Sequence, residues 1–251
     1  MSTPFTLVAK AGGSDEAAEN TCEAVAAIAA LSAPPGTSFA VEVDVRLSAD
    51  GVLIAMHDAT IDRTTQGRGP VRAWRLRDLR GLLAGPRGER VPSLDEVLEA
   101  RGDLELVIEP HEGGPDMTRT LIRQLRSLKP SVKDALLVAS EIDTVVHAVR
   151  ASGVGVRTAA TAREALRKVL FERLRAEHLL GSGHLWMVPE HHHCLRVVTD
   201  RFVQSARLQG DSVWVFVVNE VEAAVRLRAR GVSGVFTSRP RALSVALRRF
   251  V

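Results

Sequence analysis

Short β-branched runs alternate with amphipathic helical patterns along nearly the whole chain, and this alternation restricts the fold more than any other feature. The strand candidates are Thr6 to Ala9, Phe39 to Val45, Val52 to Met56, Leu104 to Glu109, Ala135 to Ala139, Val154 to Arg157, Leu185 to Val188, Val213 to Val218 and Gly234 to Thr237. Apolar residues at helical spacing mark Glu16 to Leu31, Ser93 to Ala100, Met117 to Leu128, Ile142 to Ala151, Ala162 to Leu179, Thr199 to Leu208, Glu220 to Ala229 and Arg241 to Phe250. Ser93 and Thr161 stand where N-caps belong, and Gly153 and Gly231 where C-terminal caps belong. A strand followed repeatedly by a helix requires parallel pairing, and at 251 residues the leading solution is a closed eight-stranded β/α barrel built as one domain, residues 1–251. The runner-up is a doubly wound open sheet, which no glycine-rich dinucleotide loop supports. Nine candidates compete for eight places. Val52 to Met56 is the surplus one, because the turn Ser48-Ala49-Asp50-Gly51 before it is too short for a helical crossover.

Charge excludes more than it suggests. Lys+Arg 33 nearly balances Asp+Glu 30, and the arginines are scattered, so a nucleic-acid partner is not expected. The densest basic stretch, Arg72, Arg75, Arg77 and Arg80, has the spacing of a solvated short helix. Cys22 and Cys194 read as two reduced thiols. Met1 to Lys10 lacks an export signal, and no run is long and uncharged enough for stable membrane insertion, so a cytoplasmic location is expected.

Three acids fall at strand ends. In Val41-Glu42-Val43-Asp44-Val45 the alternation puts Glu42 and Asp44 on one face and the valines on the other. In Ile108-Glu109-Pro110-His111 the same period puts Glu109 and His111 together. Barrel active sites gather at the C-terminal ends of strands, where these groups would converge. Three neighbouring carboxylates repel unless a cation neutralises them, and all-oxygen donors favour one hard divalent ion, Mg²⁺, Ca²⁺ or Mn²⁺. The competing reading is that each acid is solvated or paired with an arginine such as Arg46. His57, in His57-Asp58, adds a group able to move protons near neutral pH.

From about Val8 to Pro240 the residues resemble the glycerophosphodiester phosphodiesterases. Glu19-Asn20-Thr21 is similar to that family's ENT motif, Glu42-Val43-Asp44 to its ExD and His57-Asp58 to its HD. Ile61 to Val71 is similar to the stretch LDRTTNGTGPV, Val91 to Leu98 to IPTLEEVL, and Ile108-Glu109 to EIK. Val217-Val218-Asn219 and Gly231 to Thr237 resemble the closing TVN and GVDGIIT segments. The resemblance implies a TIM (β/α)8 barrel. It also implies metal-dependent hydrolysis of a small-molecule glycerophosphodiester to glycerol 3-phosphate and an alcohol, in lipid headgroup metabolism. Carried over by position, Glu42, Asp44 and Glu109 hold the metal, His57 is catalytic, and Asn219 binds substrate.

The first motif departs from the family. Its HRG histidine stands nine residues before the ENT glutamate, and here that place is Lys10, followed by Ala11 and Gly12. The EIK lysine is changed too, to His111. The paired change implies an exchange, in which Lys10 supplies phosphate-binding charge and His111 the second proton-transfer group, making Lys10, His57 and His111 the catalytic set. The alternative is a catalytically impaired barrel that binds a phosphorylated metabolite or a partner protein. Phe216-Val217 replaces Trp-Thr, Ser238 replaces an aspartate and Glu141 an aromatic, so the alcohol portion of the substrate is expected to differ from glycerol. His191-His192-His193 reads as a solvated loop on the mouth side, Gly113-Gly114-Pro115 as a loop over the site, and no lid domain is expected.

Overall fold

The structure is a computed structural model that describes residues 5–174 and 183–250. Its strands are β1 (Phe5–Ala9), β2 (Thr37–Leu47), β3 (Leu53–Ala55), β4 (Glu105–Pro110), β5 (Leu136–Val138), β6 (Arg157–Thr158), β7 (Leu185–Pro189), β8 (His191–His192), β9 (Leu195–Arg196), β10 (Ser212–Phe216) and β11 (Gly234–Thr237). Its helices are α1 (Cys22–Ala29), α2 (Leu76–Leu79), α3 (Leu94–Ala100), α4 (Pro115–Ser127), α5 (Pro130–Lys133), α6 (Asp143–Ala151), α7 (Ala162–Arg173), α8 (Asp200–Leu208), α9 (Val221–Arg230) and α10 (Pro240–Leu247). Parallel pairing runs in the order β6-β5-β4-β2-β1-β11-β10-β7, and a bridge between Ala159 and Leu185 joins its two ends. The result is the TIM barrel expected from the alternation, not the runner-up open sheet. The surplus strand β3 pairs antiparallel with the end of β2, Val45 opposite Ala55, as a hairpin that stands outside the closed ring.

Side-chain alternation sorts the strands into two apolar layers. Val8, Ala40, Val107, Leu137, Trp214 and Phe236 pack together inside the barrel. Leu7, Val41, Val43, Leu106 and Ile108 face outward into the layer shared with the helices. Each such side chain fully withdrawn from water contributes about 1.5–3 kcal/mol. Ser93 and Thr161 close capping boxes with Glu96 and Glu164, so the starts of α3 and α7 lie where their sequences place them. Gly231 caps α9 in the left-handed region, and Gly153, one residue past the cap of α6, is left-handed as well.

Three elements differ from expectation. The first helix begins at Cys22 rather than Glu16, because Asn20 takes a φ of 57° and Thr21 then caps the helix by accepting from the Ala24 amide. The sixth strand starts at Arg157, since Gly155 at φ 79° turns the chain within the expected run. The three histidines belong to a small exposed hairpin, β8 with β9, rather than a plain loop. Helix α7 ends at Arg173, and the end expected at Leu179 lies outside the described residues. Gly114 caps α4 and Pro115 is its first residue, where a missing amide hydrogen costs nothing.

Candidate active site

Parallel register sets the level of each acid. Asp44 lies beside Glu109 and Glu42 beside Val107, so two acids share one layer and the third sits a layer deeper. Glu42, Asp44 and Glu109 each offer an oxygen, and the three oxygens lie within 4.8 Å of one another. Glu42 and Asp44 have no exposed surface, while Glu109 is half-buried. Lys10 follows the Ala9–Val41 pair at the end of β1, in a short turn, Lys10–Gly12, in which Ala11 holds a φ of 51°. That conformation aims the Ala11 amide at Glu42 Oε2, 2.8 Å away. The first-motif segment therefore contacts Glu42 through its backbone even though its side chains differ from the family pattern.

Neighbouring residues hold the acids in place. Asn20 Nδ2 donates to Asp44 Oδ2 at 2.8 Å, and Asn20 Oδ1 accepts from the Asp44 amide at 3.0 Å. His111 Nε2 lies 2.7 Å from Asp44 Oδ1 and 3.6 Å from Glu109 Oε1. Glu42 Oε1, Asp44 Oδ1 and His111 Nε2 are all buried without a hydrogen-bond partner. Buried polar atoms rarely stay unpaired. The all-oxygen donor set, with Glu42 Oε1 and Asp44 Oδ1 orphaned, fits a hard divalent cation held by Glu42, Asp44 and Glu109.

The electrostatics agree with an acid cluster that lacks full compensation. Burial first, and then Asp44 alongside, push the Glu42 carboxyl well above the usual range. Asp44 goes the other way: burial would raise it, but His111 and Asn20 outweigh that and hold it low. Glu109 is raised by burial and by Asp44, against the pull of His111 and Lys10. For Lys10 and His111 burial favours the neutral form, yet the surrounding carboxylates prevail and both are raised.

His57 follows the β2–β3 hairpin, which the Met56 amide ties to the Asp44 carbonyl. Its Nδ1 lies 2.7 Å from Asp58 Oδ1, an acceptor, which makes Nδ1 the protonated nitrogen and leaves Nε2 free. Asp58 is gripped in turn by Arg63, whose other nitrogens make two 2.7 Å bonds to Glu19. The His57 and His111 rings stand 4.5 Å apart between centroids. Asn219 sits past β10, where its Oδ1 accepts from Thr237 Oγ1 at 3.1 Å and from the Ser238 amide at 2.9 Å, so only its amide hydrogens remain for a ligand.

Sequence reasoning missed the roles of four residues. Asn20 was part of a quoted motif, but its double grip on Asp44 has no signature in spacing. Arg46, expected only as a partner of the acids, continues the Glu42, Asp44 face by the same period of two and instead donates from Nε to the His57 carbonyl at 2.7 Å. Glu112 accepts from the Leu47 amide at 2.6 Å and from Arg72 at 3.2 Å, tying the chain after His111 to the hairpin. Arg63, which bridges Asp58 to Glu19, lies 44 positions from Glu19, beyond local pattern.

The structure thus defines a (β/α)8 barrel with an acidic, imidazole-lined mouth. The family model "Glycerophosphoryl diester phosphodiesterase family" matches residues 11–242, and the chain belongs to that family. A glycerophosphodiester phosphodiesterase of Caldanaerobacter subterraneus is 26% identical over 97% of this chain and 98% of its own length. Glycerophosphodiester phosphodiesterase 1 of mouse is 31% identical over 63% of this chain, a match that spans 49% of the mouse protein. Among solved structures, a Mycobacterium tuberculosis glycerophosphoryl diester phosphodiesterase domain superposes with a TM-score of 0.78 at 18% identity, covering 99% of this chain and all of that one. An Oleispira antarctica phosphodiesterase in complex with its product sn-glycerol-3-phosphate superposes with a TM-score of 0.77 at 22% identity, covering 98% and 97%.

Proposed function

We propose that this protein hydrolyses glycerophosphodiesters to glycerol 3-phosphate and an alcohol, with one hard divalent cation, Mg²⁺, Ca²⁺ or Mn²⁺, held by Glu42, Asp44 and Glu109. The observation that carries the reading is the convergence of three acids and two imidazoles at the mouth of a barrel of this family. When bound, the cation offsets the negative charge that builds on the phosphoryl oxygens.

The chain's own groups handle the rest. His57, with Nδ1 anchored on Asp58, presents Nε2 as one proton-transfer atom. His111 provides the other through Nε2, so one imidazole takes the proton of the attacking hydroxyl or water and the other returns one to the leaving alcohol. Each is worth about 10²-fold to 10⁴-fold in rate. Lys10, kept cationic by the carboxylates around it, attracts the phosphate, and the Asn219 amide donates to the substrate. Phe216 and Val217, both part-exposed at the end of β10, offer apolar surface to the alcohol portion. Among the described residues no helix is long and apolar enough to cross a membrane. We place the activity in the cytoplasm, on headgroup esters released from lipids.

The test is turnover. Pure protein incubated with a panel of glycerophosphodiesters and each cation is expected to release glycerol 3-phosphate, and to stop when a chelator is added or Glu42→Ala is introduced. No release across the panel would leave a binding barrel instead.

A further inference from the structure

We infer that Asp44, His57 and His111 form a second cation site, which takes a borderline transition ion such as Zn²⁺ or Co²⁺ and shares Asp44 with the oxygen-lined site. The three residues each offer a ligand atom, and these atoms lie within 4.8 Å of one another. Two imidazoles with one carboxylate suit such ions, whereas the all-oxygen set beside them suits harder ones.

Unpartnered atoms point to the same place. Asp44 Oδ1, on a side chain with no exposed surface, and His111 Nε2 approach to 2.7 Å without forming a hydrogen bond. A cation between them takes both atoms as ligands once His111 releases its proton. Ligands on a tetrahedral ion with bonds of about 2.0–2.2 Å stand about 3.3 Å apart. From 2.7 Å the pair needs to open by about 0.6 Å.

His57 is already arranged as metal-binding histidines are. Its Nδ1 donates to Asp58, a carboxylate that Arg63 holds from the far side at 2.7 Å, so the ring orientation is set and Nε2 is free. The His57 side chain is 45% exposed, which leaves a path for an ion and an open position on it. This site exists because position 111 is histidine; a lysine there would offer a cation instead of a ligand.

Occupation of the site removes both imidazoles from proton transfer, so Zn²⁺ is expected to inhibit hydrolysis supported by Mg²⁺, Ca²⁺ or Mn²⁺. That consequence rests on the proposed hydrolysis, while the binding itself does not. The test is titration of the whole protein with Co²⁺, followed by its visible ligand-field absorption. Saturable bands are expected, lost in both His57→Gln and His111→Gln and shifted to about 10-fold to 100-fold weaker affinity by Asp58→Asn. A variant with His191→Asn, His192→Asn and His193→Asn is expected to keep both the bands and the hydrolysis. Bands that survive His57→Gln, a part-exposed turn position whose loss leaves the core intact, would overturn the site, as would bands that disappear in the hairpin variant. A protein with no hydrolysis but His57-dependent bands would refute the activity and keep the site. Hydrolysis indifferent to Zn²⁺ under saturating bands would refute the inhibition.

Discussion

Asn20 holds Asp44 by two hydrogen bonds, one to the carboxylate and one from the main-chain amide, and so fixes the acid that the all-oxygen and the imidazole-containing clusters share. Asn20 is 3% exposed and left-handed at φ 57°, a conformation asparagine tolerates better than most residues. Asn20→Ala leaves the buried Asp44 groups without these partners and is expected to destabilise the fold by about 2–3 kcal/mol. Urea denaturation checks it, and a change under about 0.5 kcal/mol, the range of ordinary surface substitutions, contradicts the grip.

Replacement of Glu42 by its isosteric amide separates stability from function. Glu42→Gln removes a charge that burial and Asp44 disfavour, so the cation-free variant is expected to melt at or above the wild-type temperature. The wild type at a cation concentration about 100 times Kd gains about 2.7 kcal/mol, or roughly 5–10 °C in Tm. Thermal melts with and without Mg²⁺, Ca²⁺ or Mn²⁺ should show that gain in the wild type and none in the variant.

Lys10→Met tests the charge at the first motif without disturbing the Ala11 amide that meets Glu42. Loss of a hydrogen bond to a charged group, about 1.5–3 kcal/mol, corresponds to about a 10-fold to 150-fold fall in kcat/KM. The expected pattern is that fall in steady-state kcat/KM with cation affinity no weaker than in the wild type, since the variant removes a positive charge facing all three acids. Normal kcat/KM in the variant removes Lys10 from substrate binding.

A pH effect is expected far from the site. Burial would raise the Glu164 carboxyl, but Arg150, 2.6 Å away, and the Thr161 amide outweigh it and leave it below the usual range. A lowered folded pKa means that the contribution is complete above the unfolded value of about 4.3 and fades as pH falls below it. Glu164→Gln keeps the capping-box acceptor and removes the ion pair. The variant should be less stable by about 0.5–1 kcal/mol at neutral pH, with the gap narrowing below about pH 4. A gap that widens on acidification reverses the sign and rejects the assignment.

Much of this was readable from the chain because its rules are local. The period of two put Glu42 beside Asp44 and Glu109 beside His111, and the capping pairs Ser93–Glu96 and Thr161–Glu164 lie three residues apart. The short Ser48 to Gly51 turn was enough to take β3 out of the ring. What stayed hidden depends on long-range closure or on backbone conformation. Neither the left-handed Ala11 nor the Arg63 bridge to Glu19 leaves a periodic trace, and the β8–β9 hairpin was obscured by the run of histidines that forms it.

The barrel closes unevenly. Strand β6 has two residues, and the described residues join it to β7 through the Ala159–Leu185 bridge and the bond from the Ala160 amide to the Leu185 carbonyl, with Arg150 clamping Thr158 and Ala159 from outside. β2 and β4, which carry all three acids, are instead matched along six consecutive residues. Breathing of the cylinder should therefore start at the seam, on the far side of the ring from the acids, and amide protons there should exchange with solvent well before those around Asp44. The three acids are mounted on the stiff arc, so thermal opening at the seam can occur without loosening them.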